Sequence, residues 1–438
     1  MSDLPPQSTG EKTGFSGLGI TEKILGILGK MKFDQPTLIQ HKAIPIALEG
    51  NDVIGIAQTG TGKTLAFTVP IVQHLAGKEG GALVILPTRE LALQVDETFQ
   101  KIARSFGIYS AVLIGGSPMG AQIRAVRGGA RVIIGTPGRI IDHLKQKTMT
   151  LRNVKLLVLD EADRMFDMGF APQIKEILKA VPKERQTMLF SATMPDDIVQ
   201  IATVHMHSPV RVEIARSGST SERVEQELFI VKANQKNRLL EALLIQYTGS
   251  VLVFSRTKHG AKRICRLINH IGIKAAEIHS NRSLSQRREA LQGFKDGRYR
   301  VLVATDIAAR GIDVKDITLV INFDVPEQAE DYIHRIGRTA RAGSAGRAIT
   351  FTTPDQHYHI RNIERLMKAA IKISKLPELP PDRAPLPRDE EDRDQERPRY
   401  NLSSQGGYGS RQPRRPSQGG HGGSRFGGGS RGGQRRRR

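Results

Sequence analysis

Residues 155–163 read Lys-Leu-Leu-Val-Leu-Asp-Glu-Ala-Asp. The four unbroken apolar residues 156–159 suit a strand buried on both faces of a parallel sheet. Asp160 and Glu161 fall where that strand would end. In open α/β sheets, ligands bind beyond the carboxyl ends of the strands. The pair therefore offers a metal-holding acid beside a possible general base. A charged cluster on its own marks only a solvated turn, so the rest of such a site must be sought along the chain.

Residues 58–64, Gln-Thr-Gly-Thr-Gly-Lys-Thr, supply it. They follow a strand candidate at 52–57 and precede Leu65, Ala66, Phe67 and Val69, which suit the start of a helix. This is a phosphate-binding loop, with Ala57 where the strict pattern has its first glycine. Thr59, Gly60, Thr61 and Gly62 would wrap the phosphates, the glycines letting backbone N–H groups turn inward. The helix starting near Lys63 adds the positive end of its dipole. Lys63 would reach the β- and γ-phosphates, and the Thr64 hydroxyl would ligate Mg²⁺.

Elements that could position these residues recur along the chain. Further strand candidates lie at 82–86, 111–114, 131–135, 156–160 and 187–190, with helical patterns between them. That alternation predicts βαβ units and a parallel sheet covered by helices. A small, polar stretch at 214–222 reads as a linker. A second series follows at 224–231, 251–255, 275–278, 299–304, 319–323 and 348–352, with a closing helix over 360–371. It has no phosphate loop of its own, so one nucleotide site completed at a cleft between two domains is expected. The expected divisions are a flexible 1–12, a first domain 13–213, the linker, a second domain 223–372 and a disordered 373–438.

The 438 residues carry 66 Lys and Arg against 44 Asp and Glu, a net charge of +22. Such a surplus predicts a polyanionic partner, most often nucleic acid. Residues 401–438 contain 12 glycines, 9 arginines and no acid. This stretch has little to bury and suits non-specific RNA contact. The single cysteine, Cys265, excludes an intramolecular disulfide and favours a reducing compartment. Its helical surroundings suggest a structural thiol. No apolar run approaches the roughly 18 residues of a membrane span, and no segment resembles a signal peptide. A soluble cytoplasmic protein is expected.

Further stretches complete the pattern. The first half contains Pro87-Thr-Arg-Glu-Leu-Ala92, Gly115-Gly116, Thr136-Pro-Gly-Arg139 and Ser191-Ala-Thr193. The second contains Ala304-Thr-Asp-Ile-Ala-Ala-Arg-Gly-Ile-Asp313 and His334-Arg-Ile-Gly-Arg-Thr-Ala-Arg341. With the two sites above, the chain resembles the DEAD-box ATP-dependent RNA helicases over about residues 15–372. Its compact core and Gly/Arg-rich end resemble the bacterial RhlE-like branch. The resemblance implies two tandem RecA-like domains of the P-loop NTPase type, ATP and Mg²⁺ as ligands, and RNA as partner.

It also implies roles. Gln40, in Pro36-Thr-Leu-Ile-Gln40, would read the adenine edge, since an amide offers a donor and an acceptor together. Phe15 would stack on the ring, and Asp313 would contact ribose. Leu38 and Lys32 depart from the family's usual proline and glycine. Asp160 would hold Mg²⁺ through metal-bound water, and Glu161 would orient and deprotonate the attacking water. Asp163 would couple to Ser191 or Thr193, with His334 in the same coupling group. Arg338 and Arg341 would be arginine fingers on the γ-phosphate. Ala340 stands where a glycine usually precedes the last arginine.

RNA would be held by its backbone, with little sequence preference. Pro87, Thr88, Arg89, Gly116, Thr136, Gly138 and Arg139 would line one half of its path, and Arg256, Arg287 and Thr305 the other. Leu284 replaces the family's glutamine three residues before Arg287. The expected activity is RNA-stimulated ATP hydrolysis that separates short duplexes. An ATP-gated RNA clamp or RNA–protein remodeller, and a DNA translocase, are the alternatives. A monomer is expected, with ribosome precursors or an RNA-decay complex as possible partners.

Overall fold

A computed structural model describes residues 14–58, 60–214, 224–309, 317–339 and 346–383. Fourteen strands form two parallel sheets of seven. The first contains β1 (Val53–Ile56), β2 (Gly81–Ile85), β3 (Ser110–Leu113), β4 (Val132–Gly135), β5 (Val154–Leu159), β6 (Gln186–Ser191) and β7 (Val210–Glu213). The second contains β8 (Val224–Ile230), β9 (Val251–Phe254), β10 (Ala275–Ile278), β11 (Val301–Ala304), β12 (Leu319–Asn322), β13 (Gly346–Thr352) and β14 (Lys372–Ile373). The orders are β3-β4-β2-β5-β6-β1-β7 and β10-β11-β9-β12-β13-β8-β14. Both are the same path through the sheet, taken twice.

Burial on both faces explains the unbroken apolar runs. In β2, Ala82 and Val84 enter one core while Leu83 and Ile85 enter the other. In β9, Leu252 and Phe254 face one core, and Val251 and Val253 the opposite one. Each inward Val, Leu, Ile or Phe side chain contributes about 1.5–3 kcal/mol relative to exposure. Helices such as Lys63–Gly77, Arg89–Ala103, Lys236–Gln246 and Lys258–His270 cover the sheets. Cys265 is buried on the last of these. Burial, reinforced by Glu277, pushes its thiol up to about 12, so it is a packing residue.

Two edge strands were not among the sequence expectations. β7 exposes three of its four residues, and β14 is only two residues long. Neither presents the apolar run that marks a central strand. The ordered chain also continues past the expected end of the second domain at 372. β14 pairs with β8, Ser374 N donates to Leu228 O, and Leu379 packs against the second sheet's core. Arg238 then donates to the Pro380 carbonyl, and Arg383 binds Glu241 through Nε at 3.1 Å and also through Nη2. Both sheets fall in one compact unit that ends at Arg383. The expected linker 214–222, apart from Ile214, lies outside the described residues, as do the expected flexible N-terminus 1–12 and the Gly/Arg-rich stretch. Among the described residues, no helix is long and apolar enough to cross a membrane.

Candidate functional site

The phosphate loop lies between β1 and the helix Lys63–Gly77, at the carboxyl end of the sheet. Gly60 and Gly62 adopt φ of 87° and 91°, left-handed backbone that a side chain disfavours. Gly62 has a second constraint, since a Cβ there would sit 2.3 Å from the Gln40 amide nitrogen. Gln40 donates through Nε2 to Gly62 O at 2.9 Å and accepts from Thr37 N at 2.9 Å. It thus caps its own helix, Leu38–Leu48, and braces the loop, a role its sequence context did not suggest. An amide retains a further donor and lone pair beyond these two bonds, enough to meet an adenine edge. Thr61 Oγ1 donates to Gln58 O at 2.7 Å, and buried Lys63 donates to Ala57 O at 2.9 Å. Thr64 is half-buried beside it. Phe15 is packed into the first core and only 4% exposed.

Asp160 follows β5, with its N–H bound to Ile85 O and its Oδ1 accepting from Glu161 N at 2.9 Å. Burial pushes its carboxyl up to about 6, against the opposing pull of Lys63, with Glu161 and Asp163 adding repulsion. A buried carboxylate held up in this way is one that a hard cation would relieve. Among the described residues, no group of three or more His, Cys, Asp or Glu forms a metal cage. One carboxylate and one hydroxyl, completed by phosphate oxygens and water, is a donor set that fits Mg²⁺.

Glu161 adopts φ of 52°, an uncommon left-handed conformation for glutamate. It heads the short helix Ala162–Asp167, and its Oε2 accepts from buried Arg164 at 2.7 Å. That charge-assisted bond fixes the carboxylate's direction. Asp163 is brought together with both residues expected to couple to it. Its N–H donates to Ser191 Oγ at 3.1 Å, while its Oδ2 accepts from Ala192 N, Thr193 N and Thr193 Oγ1 at 3.0–3.1 Å. A move of the 191–193 segment therefore pulls directly on the helix Ala162–Asp167 that Glu161 heads.

Of the residues expected along an RNA path, Arg89 and Arg139 in the first half meet the same loop at 115–117. Thr88 caps the helix Arg89–Ala103, its hydroxyl accepting from Leu91 N, with Pro87 buried before it. Arg89 lies against Gly115 and Gly116, and a Cβ at Gly116 would sit 2.5 Å from its Nη1. Thr136 heads the helix Pro137–Lys145, and Arg139 donates to Ser117 O at 3.1 Å. Gly138 faces open space. Gln122, absent from the sequence expectations, braces this loop through Ile114 O and Ser117 O. In the second half, Arg256 is exposed and Thr305 half-buried. Arg287, instead of lining an open path, forms a buried ion pair with Glu90 at 2.9 Å.

His334 lies on the helix Ala329–Ile336, and Arg338, two residues past its end, is 3% exposed. Between them Arg335 is fully buried, bound through Nε and Nη2 to Asp306 at 2.6 and 2.7 Å. Neither Arg335 nor Asp306 stood out in the sequence, although both sit inside the stretches that carried the resemblance. Thr59, Asp313 and Arg341 lie outside the described residues.

A phosphate loop, a buried carboxylate pair at a strand end and a second sheet of the same order define a tandem RecA-like nucleotide-binding core. Comparisons with known proteins are specific about its kind. The DEAD/DEAH box helicase family matches residues 37–201, and the helicase conserved C-terminal domain matches 234–343. The ATP-dependent RNA helicase CshA of Listeria monocytogenes is 44% identical over 370 residues, covering 83% of this chain and 71% of that protein. The DEAD-box ATP-dependent RNA helicase CshA of Geobacillus kaustophilus is also 44% identical, covering 84% and 79%. Among solved structures, S. cerevisiae Dbp5 bound to RNA and ADP BeF3 superposes with a TM-score of 0.73 at 31% identity, covering 82% of this chain and 95% of that one. The chain belongs to the DEAD/DEAH box helicase family.

Proposed function

We propose that this chain is an ATP-dependent RNA helicase, in which RNA-stimulated ATP hydrolysis separates short duplexes locally and without sequence preference. The observation that carries this reading is the network from Glu161 through Asp163 to Ser191–Thr193, set beside Lys63 and the phosphate loop. It ties the hydrolytic carboxylate to a segment able to report a change elsewhere in the chain.

Each side chain then has a task. Lys63 and the glycine loop hold the phosphates, and Gln40 meets the adenine edge while bracing Gly62. Thr64 and Asp160 would hold Mg²⁺, which supplies neutralisation of phosphate charge when bound. Glu161, aimed by Arg164, orients the attacking water and takes its proton. Arg338 and Arg341 stabilise charge on the transferred phosphoryl group from the second half. His334 belongs with Asp163, Ser191 and Thr193 in the coupling group. Arg89, Arg139 and Arg256, with the N–H and hydroxyl groups around them, grip RNA phosphates and 2′-hydroxyls. The Gly/Arg-rich end adds non-specific RNA affinity.

We place the work in the cytoplasm, within RNA metabolism and as a monomer, in the RhlE-like branch. Ribosome precursors are a candidate substrate, and a Candida albicans relative 42% identical over 382 residues is named an ATP-dependent rRNA helicase. The test measures ATP turnover and strand separation side by side, with RNA and with single-stranded DNA. Turnover stimulated by RNA alone, together with separation of a short duplex, supports the reading. Stimulated turnover without separation points to a clamp, and equal stimulation by DNA points to a translocase.

A further inference from the structure

The second sheet repeats the framework of the nucleotide site but fills it differently. β1 and β8 hold the same place in their sheets, and each leads into a helix that opens with a buried lysine, Lys63 or Lys236. β5 and β12 also correspond. Leu159 pairs with Ile85, and Asn322 pairs with Phe254. One residue further, Asp160 N donates to Ile85 O and Phe323 N donates to Phe254 O. By register, Asp324 therefore stands where Glu161 stands in the first sheet.

The loops leading to the two lysines differ. Residues 231–235, Val-Lys-Ala-Asn-Gln, contain no glycine to admit a phosphate. Lys236 Nζ instead donates to Phe323 O at 2.8 Å and to Asp324 Oδ1 at 3.3 Å. A lysine–carboxylate pair closes the place that the first sheet keeps for a ligand.

Asp324 is also a junction. Its Oδ2 accepts from Arg256 N at 3.0 Å and from Ser255 Oγ at 3.3 Å. Its carbonyl oxygen accepts from Arg335 Nη1 at 2.6 Å. One residue thus touches the exposed Arg256 segment on one side and the helix leading to Arg338 on the other. Lys236, itself buried, holds that junction in place by pairing its charge with the half-buried Asp324 carboxylate.

We propose that Asp324, held by Lys236, is a positioning residue that couples the Arg256 segment to the arginine helix, so that bound RNA and bound nucleotide strengthen one another. This rests on the RNA-dependent ATPase reading. RNA drawn onto Arg256 moves its backbone N–H, Asp324 follows, and Arg335 carries the shift to Arg338. A nucleotide engaging Arg338 biases the same chain of bonds in reverse, since coupling between two binding sites is reciprocal.

The experiment uses the full chain and a fluorescent single-stranded RNA, with and without Mg²⁺ and a non-hydrolysable ATP analogue. The ratio of the two RNA dissociation constants is the coupling. Asp324→Ala is expected to lower that ratio at least fivefold while leaving affinity for the analogue alone within twofold. Asp324→Asn keeps acceptors for Arg256 and Ser255 but drops the charge partner of Lys236, and is expected to fall between. Lys236→Arg should restore more coupling than Lys236→Met. If Asp324→Ala does not fold, as judged by thermal unfolding, Asp324→Asn and the Lys236 pair carry the test. A merely structural role would weaken RNA binding equally in both conditions, and an unchanged ratio in a folded variant overturns the proposal. A wild-type ratio of one would instead overturn the functional reading on which it rests.

Discussion

The two sheets share one architecture and divide the chemistry. Arg131, just before β4, donates to Leu75 O at 2.9 Å, to Gly80 O at 3.0 Å and to Lys78 O. Arg300, just before β11, donates to the corresponding carbonyls of Leu244, Tyr247 and Gly249. The three acceptors have the same spacing in both halves, so the device that anchors the end of the preceding helix is duplicated intact. At the opposite ends of those helices the halves part. Lys63 opens onto a glycine loop, whereas Lys236 is folded onto Phe323 and Asp324. What serves the fold has been kept twice, and what serves the ligand has been kept once.

The largest effect that could break this division is on turnover. Glu161→Gln removes the proton acceptor but keeps the shape, and RNA-stimulated hydrolysis should fall at least about 100-fold with nucleotide binding retained. Single-turnover phosphate release measures it, and near-normal release would place the water-activating group elsewhere. Asp324, its counterpart by register, should not show that loss of chemistry with nucleotide bound alone.

Next in size is a stability change with a defined pH window. The folded chain holds the Asp160 carboxyl at about 6, above its ordinary value of about 3.9, so it binds that proton more tightly than the unfolded chain does. The ligand-free protein therefore loses stability as pH rises through that window. Asp160→Asn should unfold about 2–3 kcal/mol harder than wild type above pH 7, with the gain vanishing below about pH 4. Denaturant melts at the two pH values decide it, and equal stability at high pH would mean that Asp160 carries no desolvation burden.

A smaller effect is expected at the loop. Gly62→Ala forces a left-handed alanine, a strain of about 1–2 kcal/mol, and pushes the Gln40 amide aside. Affinity for a fluorescent ATP analogue should fall about tenfold, and retained affinity would show that the loop does not need this geometry. Smallest is the matched pair Arg131→Ala and Arg300→Ala. Each should cost about 1–2 kcal/mol of stability and leave the nucleotide affinity of the folded protein unchanged. A change in affinity in either variant would mean that the anchors do more than hold their helices.

Much of this was readable in advance because the informative residues are local. The glycine loop, the acids ending an apolar run and the Ser191–Thr193 segment each announce themselves within a few positions. Lys236 and Asp324 do not. A lysine opening a helix looks like any solvated lysine, and only the register of β12 against β9 shows that Asp324 answers to Glu161. Arg335 resembles its neighbours in sequence, and only its two-point ion pair with Asp306 marks it as a structural arginine. Gln40 showed one role in its context and has a second, because its contact with Gly62 spans 22 residues. The edge strands β7 and β14 were missed because edge positions need no sustained apolar pattern.

The division of labour is tested most directly by counting nucleotide sites on the full chain. Equilibrium titration with a fluorescent ATP analogue and Mg²⁺ would be run on wild type, Lys63→Ala and Lys236→Met. The account predicts one site per chain, lost in Lys63→Ala and kept within about twofold in Lys236→Met. Two sites in the wild type, or a site abolished by Lys236→Met, would contradict it.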